Sequence, residues 1–192
     1  MWWLDRRQEM EKLKLSLERI VAWHKRRGRK VVDLLQPGLS ATALKAPLVL
    51  HADVVHLYKW GNGTRVSQDY VLNDLYFTPG YYLLSFDHAL DAYNRLVSST
   101  SWHESWFPVM TSGGGDYYGV DHALGDVIHY IRDYSDCPVQ YLSLTAMMQS
   151  AAECYESDAY FLDDRGLVQV NTAAEFIIAR RLNPQVDYWQ NK

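Results

Sequence analysis

"SWFPVMTSGGGDYYGVD", residues 105–121, decides how this chain is read. Three consecutive glycines stand between two aromatic-rich stretches. Such a run serves either as a phosphate cradle or as a turn that needs φ > 0. A P-loop requires GxxxxGK followed by Ser or Thr. Here Asp116 and Tyr117 follow the glycines, and a carboxylate stands where phosphate charge would go. A dinucleotide fingerprint requires a following helix whose N-terminus faces the pyrophosphate. The segment after Gly115 alternates like a strand. The glycines are therefore expected to close a hairpin between aromatic strands, with Gly114 among the positions at φ > 0.

Working outward, "WFPVM" (106–110), "DYYGVD" (116–121) and "DVIHYIRD" (126–133) read as successive strands. Their connections are too short for crossover helices, so they are expected to be antiparallel. Residues 64–84 also read as strands, around a Pro79-Gly80 turn. Helical spacing dominates elsewhere. Met10, Leu13, Leu17, Ile20, Val21 and His24 form one stripe of a helix over about 3–26 that ends near Gly28. A further helix is expected over about 50–59. Ser85 and Ser143 are expected to cap helices, and Thr172-x-x-Glu175 reads as a capping box that opens the last one. The fold class expected is α+β, with a central, mostly antiparallel sheet and helices before, within and after it.

The 192 residues carry a net charge of −4. Residues 1–30 hold ten Lys/Arg and four Asp/Glu, a balance of +6. Residues 31–192 hold nine Lys/Arg and nineteen Asp/Glu, a balance of −10. An acidic body repels nucleic acid and attracts a basic protein partner. The basic run 24–30 is read as a solvated helix end complementing the helix dipole. No stretch is long and apolar enough to span a bilayer, and the N-terminus lacks the pattern of a signal peptide. A cytoplasmic protein with no membrane association is expected. Cys137 and Cys154 match no zinc spacing and are expected to be reduced thiols.

His51 and His56 are five apart, which places them off a common helix face for chelation. The denser set is Asp116, Asp121, His122, Asp126 and His129, which could serve a small metal-dependent hydrolase. Acidic residues are common at turns, however. No nucleophile elbow is present, so no catalytic, metal or cofactor residue is assigned. Tyr117 and Tyr118 must point to opposite faces of their strand. Tyr118, which shares a face with Asp116, is expected to be the exposed one.

The order "LYKWGNG" (57–63), "PGYYLLSFDHALDAYNRL" (79–96), "WFPVMTSGGGDYYGVD" (106–121), "GDVIHYIRDYSD" (125–136) and "YLSLTAMM" (141–148) resembles the SUKH superfamily, in its Smi/Knr-like branch. The resemblance runs from about residue 34 to 156. It divides the chain into a helical extension (1–33), the SUKH-like domain (34–156) and a C-terminal extension with a helix packed on the domain (157–192). It implies a protein-binding function. Bacterial members resemble immunity proteins that neutralise toxin domains, often nucleases. A regulatory scaffold for a cellular enzyme is the alternative within that class. The contact surface expected from these motifs comprises Trp60, Asn62, Asp116, Tyr118 and Asp121.

Overall fold

A computed structural model describes residues 2–98 and 101–190. Helix α1 (Trp2–Arg26) buries Leu13, Leu17, Ile20, Trp23 and His24, the inner stripe of its 3.6-residue period. Gly28 (φ 62°) ends it in the left-handed region. A short helix α2 (Val31–Leu34) follows, then strand β1 (Leu35–Pro37), helix α3 (Ala52–Trp60) and strand β2 (Gly61–Thr64). Strands β1 and β2 form a small antiparallel ladder.

Residues 64–84 are largely irregular rather than extended. They contain the one-turn helix α4 (Leu72–Leu75), and after Thr64, the last residue of β2, only Tyr82–Leu83 form a strand, β3. Aromatic and leucine content suits strands and buried loops alike. Here those side chains are spent on the core, with Leu75 and Phe77 fully buried.

Helix α5 (Phe86–Leu96) starts where expected, with the Ser85 hydroxyl accepting from the His88 N–H. The central sheet continues with β4 (Trp106–Thr111), β5 (Tyr117–Asp121), β6 (Val127–Tyr130) and β7 (Val139–Tyr141). Its order is β3-β4-β5-β6-β7, and every pair is antiparallel. Helix α6 (Leu144–Glu156) is capped by Ser143, as the sequence suggests. A two-stranded hairpin, β8 (Tyr160–Leu162) and β9 (Val168–Val170), precedes helix α7 (Thr172–Leu182). A 3₁₀ turn over Asp187–Trp189 then packs on β7, with the Trp189 indole N–H donating to the Gln140 carbonyl. The fold class is α+β.

The cap of α7 lies one residue earlier than the capping-box reading. Asn171 accepts from the Ala174 N–H, which frees Glu175 to turn inward.

The two sheet faces differ. Tyr117, Gly119 and Tyr130 lie against the Trp102 indole. A Cβ at Gly119 would sit 2.8 Å from that ring, so this strand position is held to glycine by close approach. Phe107, Tyr118 and Val120 face the helices. One hydrophobic cluster joins α1, the sheet, α6 and the C-terminal Trp189. Arg29 ties the segment after α1 to the rest by donating to the carbonyls of Gly166 and Asn73.

The basic arm is also tied by charge. Arg19 pairs with Glu156, Arg27 with Asp158 and Lys30 with Asp74. These pairs are partly solvated and contribute little individually. They nonetheless orient the positive helix toward the acidic body.

The hairpin glycines differ in detail from expectation. Gly113 (φ 80°) and Gly115 (φ 110°) adopt positive φ, and Gly114 does not. The turn needs left-handed backbone on either side of its tip rather than at the tip itself.

Candidate functional site

Strand alternation puts Tyr118 of β5 and His129 of β6 side by side on the helix-facing side of the sheet. Their rings stack at 4.6 Å with 15° between planes. Tyr81, just after the Pro79-Gly80 turn, brings its ring within 4.7 Å of Tyr118 and its hydroxyl within 2.7 Å of His129 Nε2. Gln140 of β7 is buried and completes the set. Its amide nitrogen lies 2.8 Å from His129 Nδ1, and its carbonyl oxygen accepts from the Tyr118 hydroxyl at 3.2 Å. With the amide so oriented, Nδ1 accepts and Nε2 carries the imidazole proton toward Tyr81. The four side chains form one continuous hydrogen-bonded row.

This row forms one wall of a cavity of about 260 Å³. Met147 and Ala151 of α6 and Tyr160 of β8 form the deep side, all buried. Glu175 and Phe176 of α7 and Tyr188 and Trp189 of the C-terminal 3₁₀ turn also line it. Exposed Thr172 and half-buried Pro79 stand at its mouth. The Tyr160 hydroxyl donates to Glu175 Oε1.

Burial pushes the phenols of Tyr118, Tyr141 and Tyr160 well above their ordinary value, and the Glu175 carboxylate adds to the rise in each. Burial and then Glu175 push the nearby Cys154 thiol up to about 12. The phenols thus stay protonated near neutral pH and act as neutral donors and acceptors. The arrangement suits holding a ligand; it offers no activated nucleophile.

A second feature borders the cavity. A broad depression of about 620 Å³ runs along β7, the sheet's edge strand, and shares Tyr188 with the cavity. Its lining includes Asp126, Asp136 and Asp187 with Pro138, Leu142 and Val186, and no lysine or arginine among the described residues. Burial raises the Asp126 carboxyl above the usual range, and neighbouring Asp121 adds to this against the opposing influence of His51. Leu124 (71% exposed) and Tyr134 (65% exposed) stand in the loops that carry Asp126 and Asp136.

The five residues singled out from the sequence do not form one patch. Trp60 ends α3, packs on Phe77 and lines a separate groove with Met10, Lys14 and His56. Asn62 is a structural residue whose Oδ1 accepts from the Phe86 N–H at 2.8 Å, at the start of α5. Asp116 accepts from the Ser112 hydroxyl and the Arg132 N–H, which ties the hairpin to the loop after β6. Asp121 accepts from the Ser105 hydroxyl and from the N–H groups of Ala123 and Leu124. Burial would raise its pKa, but these hydrogen bonds outweigh that and leave it below the usual range. Tyr118 is not the free surface ring expected from the sequence. It points into the cavity, while Tyr117 packs on Trp102.

The Asp/His set over 116–129 is likewise divided among separate roles. Among the described residues no group of three or more His, Cys, Asp or Glu side chains could hold a metal ion. Sequence alone does not single out Tyr81, Gln140, Tyr160, Glu175 and Tyr188 in the cavity or Asp136 and Asp187 on the acidic face as site residues. The doubled tyrosines at 81–82 and 117–118 were the one local sign of the first group.

No helix among the described residues is long and apolar enough to cross a membrane. Comparison with protein-family models gives no match, and comparison with curated proteins gives none either.

Proposed function

We propose that this chain is a protein-binding module of the immunity type, as its SUKH resemblance implies, and that it engages a basic surface on a toxin domain. The observation that carries this reading is the depression along β7, with its three aspartates, its apolar residues and no basic side chain among the described residues that line it. Apolar side chains ringed by charge of one sign are what a desolvated contact surrounded by a steering field requires. Leu124, Tyr134 and Leu142 supply exposed apolar area. The excess of acid over base in residues 31–192 supplies the field.

The test is co-expression with a toxin domain encoded beside this chain's own gene. A stable complex on gel filtration, together with loss of toxicity, supports the reading. Its association rate should fall as salt rises through about 0.15 M, where the screening length is about 8 Å. Replacing Asp126 and Asp136 with Asn should slow association further. Independent migration of the two proteins with undiminished toxicity would overturn the proposal.

A further inference from the structure

A groove between α1 and α3 has a chemistry opposite to that of the acidic face. Fully buried Leu13 and Leu17 line it together with half-buried Met10 and Trp60. The Trp60 ring is braced against Phe77, 6.2 Å away. The groove has a volume of about 360 Å³, more than twice the roughly 150 Å³ of an engineered apolar cavity that takes up benzene. Exposed Lys14 and Lys59 supply two ammonium groups, one from each helix, against the single carboxylate of Glu11. Lys14 stands 3.9 Å from Glu18, a solvated pair weak enough for a ligand to compete with. His56 lines the groove as well. Burial lowers its pKa, against the opposing pull of Asp53, so near neutral pH the imidazole is largely uncharged and has one N–H to donate. An organic cation would meet two ammonium groups here. Inorganic phosphate would lie against apolar side chains that offer it no hydrogen bond. A bilayer surface accepts a projecting apolar face, and this one is recessed between two helices. From Met10 to Leu17 the helix rises about 10 Å, the extended length of an acyl chain of about eight carbons.

We propose that this groove binds a medium-chain carboxylate as a free small molecule, its tail along Met10, Leu13, Leu17 and Trp60 and its carboxylate paired with the Lys14 and Lys59 ammonium groups. Burying the tail removes apolar surface of both helices from water, and the head group accepts from a lysine on each. Eight described residues line the groove, against the roughly 20–30 per side of a stable protein interface, which favours a small molecule over a partner's helix. The groove shares no lining residue with the depression along β7, so it can be filled with or without a toxin domain on the acidic face.

The full chain is titrated with octanoate, 1-octanol, octylammonium and acetate while the Trp60 indole N–H, the Met10 methyl and the His56 ring protons are followed by NMR. Octanoate should give saturable shifts at all three and bind at least about tenfold more tightly than octanol. Octylammonium should bind less tightly than octanol, and acetate should not saturate. No saturable shift at Trp60, or octanol or octylammonium binding as tightly as octanoate, would overturn the proposal. The double variant Lys14→Gln, Lys59→Gln keeps both stems and removes both charges. Both positions are exposed, so near-UV circular dichroism should be unchanged while octanoate affinity falls to that for octanol. Unchanged octanoate affinity would overturn the proposal. Should the double variant fail to fold, Met10→Asp carries the test. It sets a carboxylate in the groove and should weaken octanoate binding at least about tenfold, whereas undiminished binding would overturn the proposal. An acidic amphipathic helical peptide should leave bound octanoate in place. Displacement by that peptide, or a dimer on gel filtration that octanoate dissociates, would assign the groove to a protein and overturn the proposal.

Discussion

Helix α6 borders two interiors built in different ways. Toward α1, the space is filled. Trp23 meets Tyr155 at 4.4 Å, and His24 sits edge-on to both rings. Toward the sheet, Met147 and Ala151 of the same helix border a hollow whose polar groups bond mainly to one another. The filled side tolerates polar atoms without partners. Among the described residues, Trp23 Nε1 and His24 Nδ1 are buried with none. A packed core can absorb such costs because each large side chain makes many dispersion contacts. The hollow side forgoes those contacts and pairs its hydrogen-bonding groups with one another along the cavity wall. The first side is close-packed, and the second leaves a hollow lined by rings and polar groups.

The largest way to break this contrast is to empty the filled side. Trp23 is 1% exposed, and its ring also supports the Arg27 guanidinium at 4.0 Å. Trp23→Ala should cost about 3–5 kcal/mol, read from urea unfolding, as other large-to-small core changes do. A loss below about 1 kcal/mol would mean that α1 is an appendage and that the dense side is no denser than the hollow one.

The two sides also differed in how far the sequence disclosed them. The stripe of Leu13, Leu17, Ile20 and His24 is periodic, so α1 and its buried face were legible directly. Ser85 and Ser143 marked helix starts because a cap is a local device. Cavity residues come from positions 78 to 189, one to three per element, and no local spacing links them. Glu175 fits half of a capping box in the sequence, yet Asn171 caps the helix and the Glu175 carboxylate accepts from Tyr160. Asn62 and Asp121 looked like surface contacts because turn-favouring polar residues serve binding and backbone capping equally well. Only tertiary placement separates those uses.

A second probe of the filled side is pH. Burial lowers the His24 pKa from 6.5 to about 4, with Arg29 and Arg27 adding to the drop and the hydrogen bond to the Phe77 carbonyl opposing it. The unfolded chain therefore binds the extra proton between those values. The stability contributed by neutral His24 is fully present above about pH 6.5 and is lost as pH falls through about 4. The loss attributable to this residue should be about 3 kcal/mol. His24→Gln keeps a donor for Phe77 and cannot titrate, so the wild type minus variant difference should shrink by that amount between pH 7 and pH 4. A difference independent of pH would show that His24 is solvated and the packing looser than described.

The hairpin that delivers Tyr118 to the cavity gives a smaller effect. Gly115 has φ 110°, and a Cβ there would lie 2.9 Å from the Arg132 side chain. Gly115→Val should destabilise by about 1–3 kcal/mol. Gly114 has ordinary φ and only Ser112 Oγ nearby, at 3.5 Å, so Gly114→Ala should stay within about 0.5 kcal/mol. Equal losses in paired thermal melts would show that the turn is not built on the two flanking glycines.

The smallest effect should come from the hollow itself. Tyr118→Phe deletes one hydroxyl and leaves the ring stacked on His129. In a dry core the Gln140 oxygen would then be unsatisfied, at a cost of about 1–3 kcal/mol. Here the hydroxyl borders a cavity with room for water, and a bridging water replaces a direct bond at little cost in free energy. The loss in urea unfolding should thus stay below about 1 kcal/mol, several times less than for Trp23→Ala. If the variant instead lost more than 2 kcal/mol, the row from Tyr81 to Gln140 would be a structural strut, as much a part of the core as Trp23. The hydroxyl groups would then be directed at one another for stability, and the difference between the two sides of α6 would be one of composition alone.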